Sequence, residues 1–211
     1  MELTRHGLME EMKDVLFPKF CVGCNLEGDW LCEKCFLIAD LPKIDKAVAN
    51  LDGVTALFEY GENSVSKLIR FFKYNYLLDT VDIFRKIIFN TNFNNAWSGF
   101  VIIPVPLHAR RERERGFNQS EILAKIISEK FGLAINQNLK RVVYTAQQAK
   151  LSGDERRKNL KDAFAWVGDE IPEKVLLVDD VFTTGATMQE CAKVLKNNGV
   201  KIVSCLVLAR G

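Results

Sequence analysis

Val175-Leu176-Leu177-Val178-Asp179-Asp180-Val181-Phe182-Thr183-Thr184-Gly185-Ala186-Thr187 sets the architecture of this chain. Its first four residues are apolar and follow the charged pair Glu173-Lys174. Such a run is too short for a helix and suits a strand buried on both faces of a parallel sheet. Asp179 and Asp180 then stand at the C-terminal end of that strand. Thr183, Thr184, Gly185 and Ala186 make a short loop leading to Thr187, and Met188, Cys191, Ala192, Val194 and Leu195 recur at helical spacing. A helix starting near Gly185 or Ala186 is predicted. The first backbone N–H groups of a helix lack internal partners and carry partial positive charge, which favours a phosphate. Gly185 lets the backbone come close to the anion, and the threonine hydroxyls add donors. Two carboxylates would repel a phosphate, but they accept hydrogen bonds from neighbouring sugar hydroxyls and hold hydrated magnesium. The pattern therefore predicts a cradle for a sugar phosphate. The plain alternative is an ordinary strand-to-helix turn with an exposed Asp pair and a threonine cap. A Walker-type nucleotide loop is excluded, because no Gly-Lys-Ser/Thr follows the turn.

The same segment resembles the phosphoribosyl diphosphate (PRPP) motif of type I phosphoribosyltransferases. The resemblance implies that Asp179 and Asp180 grip the ribose and that Thr183, Thr184, Gly185, Ala186 and Thr187 grip the 5′-phosphate, with Val181 in the same PRPP site. It implies magnesium alongside PRPP.

Outside this segment, 211 residues at 48% hydrophobic suit one α/β domain with a small appendage. No apolar run approaches the roughly 20 residues of a membrane span, so a soluble protein is expected. A formal charge of +2 does not by itself announce a nucleic-acid binder, and the N-terminus lacks the pattern of a secretory signal. Four of the six cysteines form Cys21-x2-Cys24-x7-Cys32-x2-Cys35. In a chain without an export signal this spacing predicts a structural zinc held by four thiolates in a small module that the metal itself folds. The rival readings are an iron–sulfur cluster or two redox pairs. Cys191 and Cys205 read as small buried hydrophobes. Leu8, Met12, Val15 and Leu16 share one face of a helix that Pro18 stops. That face is expected to pack on its own protein, with contact at a membrane surface as the less favoured reading because the segment is mildly acidic.

Between the cysteines and the acidic pair, Leu37 to Asp52 reads as a linker or short helix and Val54 to Tyr60 as a strand. Ser64 to Tyr74 and Leu77 to Phe89 read as helices, Asn90 to Ser98 as a loop whose aromatics are pinned to the core, and Phe100 to Val105 as a second buried parallel strand. The stretch that follows runs from Pro104 through Pro106, Leu107 and His108 to Arg110, Arg111, Arg113 and Arg115, and then to Asn118 and Gln119. Prolines end the strand ladder, and guanidinium forks beside the phosphate loop suit a diphosphate. A solvated helix start, partly neutralised by Glu112 and Glu114, is the alternative. Asn118 and Gln119 open a helix over Ser120 to Phe131. Residues 140–161 are strongly basic and show little apolar periodicity; they include Arg141, Arg156, Arg157 and Lys161. They resemble the lid that phosphoribosyltransferases close over PRPP, which implies lid roles for Arg156, Arg157 and Asn159. A DNA-attracting surface or a solvated loop remain open. Ile202 to Leu208 reads as the last strand.

Taken together these segments resemble the ComF family of competence-associated, phosphoribosyltransferase-like proteins. The resemblance is carried by Leu16-Phe17-Pro18, the two Cys pairs, Pro104-Val-Pro-Leu-His108, Arg111 and Arg115-Gly-Phe-Asn-Gln119. Thr145, Gln148, Leu151, Arg156, Asn159, Ala163-Phe164 and the acidic-pair segment extend it along the chain. It implies a type I phosphoribosyltransferase-like parallel sheet flanked by helices over 46–211, and a small N-terminal zinc-ribbon module over 1–45. PRPP is expected to be bound by the acidic-pair segment together with Pro106, Leu107, Arg111 and Arg115, and zinc by Cys21, Cys24, Cys32 and Cys35. The implied role is PRPP-dependent handling of incoming single-stranded DNA in natural transformation, with competence or recombination proteins as partners. The implied place is the cytoplasm, with peripheral contact at the inner membrane as a variant. An active transferase or PRPP hydrolase with an unknown acceptor is the alternative, because no catalytic base, glutaminase domain or base-reading segment is evident. A third reading makes the PRPP site vestigial and the zinc module the part that binds partners.

Overall fold

The computed structural model describes residues 18–37, 43–45, 48, 50–61, 64–74, 77–93, 97–144, 160 and 162–211. Strands β1 (Lys43–Asp45), β2 (Gly53–Glu59), β3 (Val101–Pro104), β6 (Lys174–Phe182) and β7 (Ile202–Arg210) form one sheet in the order β1-β2-β7-β6-β3. Four are mutually parallel, and β1 adds an antiparallel edge on β2. A two-stranded antiparallel ribbon of β4 (Leu139–Arg141) and β5 (Phe164–Trp166) stands apart. The helices are α1 (Glu33–Leu37), α2 (Ser64–Tyr74), α3 (Leu77–Asn90), α4 (Ala109–Arg115), α5 (Gln119–Phe131) and α6 (Ala186–Asn197).

The central strands are apolar on both faces because both are covered. Along β6, Leu176 and Val178 face the core formed with α2, α3 and α5, while Val175 and Leu177 face the core formed with α6 and the ribbon. Along β7, Leu206 and Leu208 take the first side and Val203, Cys205 and Val207 the second. Each fully buried Leu or Val stabilises the fold by about 1.5–3 kcal/mol, so this period-two partition of apolar side chains fixes the register. Cys191 and Cys205 lie in the second core, fully buried. In the Asn-rich loop, Phe93 and Trp97 stack at 5.0 Å and Trp97 meets Phe131 edge-on at 5.4 Å, so these rings are core material.

Several boundaries differ from expectation for physical reasons. The central strand does not stop at the acidic pair: β6 continues to Phe182, with Asp179 opposite Val207 and Phe182 opposite Arg210. The carboxylates thus sit on rigid strand backbone. In place of a linker, residues 43–45 pair with β2. The Arg-rich stretch forms α4 inside what read as a loop. His108 caps it by accepting from the Arg110 N–H at 3.2 Å, and Gly116 ends it at φ 81°. Strand β3 also has more cover than its edge position suggests, since Ile102 exchanges backbone bonds with Ala134 and Asn136.

The topology locates the ligand site before any side chain is considered. The connection from β3 to β6 carries α5 over one face of the sheet, and the connection from β6 to β7 carries α6 over the other. Where adjacent strands send their crossovers to opposite faces, a crevice opens at their C-terminal ends. Here it opens between β3 and β6.

Candidate ligand site at the end of the parallel sheet

A cavity of about 380 Å³ occupies that crevice, within the usual size of small-molecule sites. Its wall includes Asp179, Asp180, Val181, Thr183, Thr184, Gly185, Ala186 and Thr187 from the β6–α6 segment, and Pro106, Leu107, Arg111 and Arg115 from the segment after β3. The structure brings together around one cavity all of the residues that the sequence assigned to PRPP. Arg156, Arg157 and Asn159 lie outside the described residues. Of the other arginines in α4, Arg110 turns outward, pairing with Glu114 at 3.1 Å and lying over the Tyr144 ring at 4.9 Å, while Arg113 is exposed.

Local backbone chemistry holds the loops in place. Gly185 has φ 72°, and a Cβ there would stand 2.4 Å from the Phe182 ring, so only glycine makes this turn. The Ala186 N–H donates to Thr184 Oγ1 at 3.4 Å, and the helix that starts there has no side-chain cap from Gly185. Asn118 ties the opposite loop down: its amide donates to the Val105 carbonyl at 3.2 Å while its oxygen accepts from the Ser120 N–H at 3.1 Å. That pair of hydrogen bonds fixes how α4 and α5 approach the crevice, and with them Arg111 and Arg115.

The two carboxylates have different surroundings. Asp180 is buried and pairs with Lys73 at 3.0 Å. Burial pulls the Lys73 ammonium down, but the Asp180 carboxylate more than offsets this and holds its pKa above the usual lysine value. Asp179 accepts from Ser120 Oγ at 2.7 Å and from the Asp180 N–H at 2.9 Å. Burial first, then repulsion from Asp180, pushes Asp179 up to about 7, and the Ser120 bond counteracts only part of this. A carboxyl so perturbed in a cavity wall is a candidate functional group.

Sequence reasoning missed Lys73, Arg141 and Tyr60, which also line the cavity. Lys73 lies one turn after Ile69 on the inward side of α2, so a cation continuing an apolar stripe was the available signal. Arg141 was counted only as one of many basic residues; in fact it is buried on β4, with its guanidinium 5.5 Å from the Phe164 ring centre. Burial, then the neighbouring Arg111, lowers its pKa from the usual arginine value. Tyr60 reaches the cavity from the end of β2, where nothing in the sequence marks it.

The four module cysteines also converge, their sulfurs lying within 4.8 Å of one another. Tetrahedral zinc with bonds of about 2.3 Å needs sulfurs about 3.8 Å apart, and Cys24 and Cys32 are 3.6 Å apart. The cluster can hold a metal such as zinc. Burial would raise Cys21, but the backbone N–H groups of Cys32, Cys24 and Gly23 more than compensate and bring it down to about 6. The Cys32 thiol, then burial, pushes Cys35 up to about 12. Trp30 stacks on Phe71 of α2 at 5.6 Å and Leu31 enters the first core, which fastens the cluster to the main sheet's helices.

Residues 117–211 match the phosphoribosyl transferase domain family. Sheet order, crevice and domain match define a phosphoribosyltransferase-like α/β protein. Over 113 residues the chain is 42% identical to Competence protein F of Haemophilus influenzae, covering 52% of this chain and 49% of that protein. It is 39% identical over 113 residues to the DNA utilization protein YhgH of Escherichia coli, covering 52% and 48%. To Competence protein ComFC of Streptococcus pneumoniae it is 31% identical over 111 residues, covering 53% and 48%. The chain spans about half the length of the curated relatives it matches. The domain match and these relatives together support a ComF-family, phosphoribosyltransferase-like protein. Among the described residues no helix is long and apolar enough to cross a membrane.

Proposed function

We propose that the protein binds PRPP with magnesium in the crevice between β3 and β6 and serves natural transformation by handling incoming single-stranded DNA on the cytoplasmic side. The observation that carries the PRPP part is the convergence of opposite chemistries around one cavity. An acidic pair suited to ribose hydroxyls stands beside a hydroxyl-rich helix start suited to a 5′-phosphate, and facing arginines suit a diphosphate. Arg111 and Arg141 repel each other across this wall, and an anion between them relieves that repulsion. The DNA part is supported by the names of the relatives, two competence proteins and a DNA utilization protein, and by the exposed cations Arg110, Arg113 and Lys140 beside the crevice.

One observation favours a second reading, turnover of PRPP. Asp179, held near 7, can take or give a proton at neutral pH while the surrounding cations stabilise a departing diphosphate. Titration of the zinc-loaded protein with PRPP and magnesium, with diphosphate monitored in the same vessel and DNA added in parallel, separates the readings. Binding without diphosphate release supports the accessory role, release supports the enzyme, and absence of binding removes both.

A further inference from the structure

We propose that Gln119 is a further binding residue of this site, its amide N–H2 donating to an oxygen of the PRPP diphosphate. The inference rests on the PRPP reading above. Gln119 is the first residue of α5, 2% exposed, and lines the cavity. Its Oε1 accepts from Arg115 at 3.2 Å. A guanidinium only donates, so this contact fixes which end of the amide is oxygen and which is nitrogen. Nε2 is shielded from solvent and makes no hydrogen bond to any described residue. A buried amide donor left without an acceptor opposes folding, and one in the wall of an anion-suited cavity has a use when an acceptor arrives.

The neighbours of Gln119 say which part of the ligand that acceptor belongs to. Ser120, next along the helix, holds Asp179 on the ribose side at 2.7 Å, and Arg115, one turn earlier on α4, holds the amide oxygen. Gln119 thus touches the guanidinium of Arg115 and adjoins the residue that holds Asp179, and on the PRPP reading the group nearest that guanidinium is the diphosphate. A neutral donor there reads a phosphoryl oxygen and keeps Arg115 aimed at the same group.

The test is calorimetric titration of the full zinc-loaded chain with PRPP and, separately, ribose 5-phosphate, both with magnesium. Gln119→Glu keeps an acceptor for Arg115 but loses the donor, and Gln119→Met loses both without adding charge. Gln119→Met is expected to bind PRPP about tenfold more weakly, the loss of one hydrogen bond to a charged acceptor, and Gln119→Glu, which also adds a negative charge, more weakly still, while ribose 5-phosphate affinity of Gln119→Met stays within about twofold. If one variant fails to fold, judged by circular dichroism and thermal unfolding, the other decides. Unchanged PRPP affinity in a wild type that binds PRPP overturns the inference and leaves the PRPP reading standing. Equal weakening of both ligands overturns the assignment to the diphosphate. A wild type that binds neither ligand defeats the PRPP reading itself.

Discussion

The carboxylates of Asp179 and Asp180 and the thiols of Cys21, Cys24, Cys32 and Cys35 both crowd like-charged groups together, in different surroundings. The carboxylates stand on a central strand. Lys73 sits 3.0 Å from one and Ser120 2.7 Å from the other, so the protein supplies part of the compensation itself. Among the thiols, Cys35 on α1 is pushed up to about 12 mainly by Cys32, whereas backbone N–H groups bring the buried Cys21 down to about 6, so the module's own groups do not balance one another. A scaffold with a large core can hold repelling groups ready for a ligand, whereas a small module needs the ligand to hold its own shape. The acidic site is therefore preformed, whereas the cysteine cluster can hold a metal that would complete it.

Breaking the metal side should have the largest effect. A strong chelator, or Cys35→Ser, is expected to destabilise the N-terminal module by several kcal/mol, toward the roughly 10 kcal/mol by which structural zinc stabilises small fingers. Elemental analysis should find about one zinc per chain beforehand. The comparison is sharpened if PRPP binding survives zinc removal within a few-fold, because no cavity residue comes from the cysteine turns. Loss of PRPP binding in step with zinc would mean that the two regions are one cooperative unit.

An intermediate effect is expected at Lys73. Lys73→Met leaves the buried Asp180 carboxylate without its ion partner, at a cost of about 1–3 kcal/mol in urea unfolding. An unchanged midpoint would show that Asp180 does not depend on internal compensation.

A further effect, at Asp179, grows with pH. Its folded pKa, about 7, lies above the model-peptide value of 3.8. Between these values the folded state holds a proton that the unfolded chain has lost. Stability therefore falls as pH rises from about 4 to 7 and then levels off. Asp179→Asn, which cannot ionise, should be more stable than the wild type at pH 8 and nearly equal to it at pH 4, while binding PRPP more weakly. Thermal unfolding across that range checks the sign, and a variant less stable at pH 8 would contradict the assignment.

Much of this was legible in the sequence because the chemistry lies on local segments. The run Val175 to Thr187 announces strand, acid pair, turn and helix in order, and the cysteine spacing announces its cluster. What stayed hidden depends on long-range placement. Lys73 acts on a residue more than a hundred positions away, and only helix packing reveals that α2 ends at the crevice. Arg141 gains its meaning from being buried in a two-stranded ribbon whose strands are too short, at three residues each, to show a period. β1 was missed for the same reason, since its pairing with β2 and not its own pattern makes it a strand. The helix of Ala109–Arg115 was obscured by its charges, which leave no apolar face to count; its buried residues are none.

The most direct measurement is calorimetric titration of the zinc-loaded wild type and of Asp180→Ala with PRPP and magnesium. The account predicts one PRPP bound per wild-type chain and at least tenfold weaker binding in the folded variant. Equal affinity in the two proteins, or no heat of binding from the wild type, would contradict it.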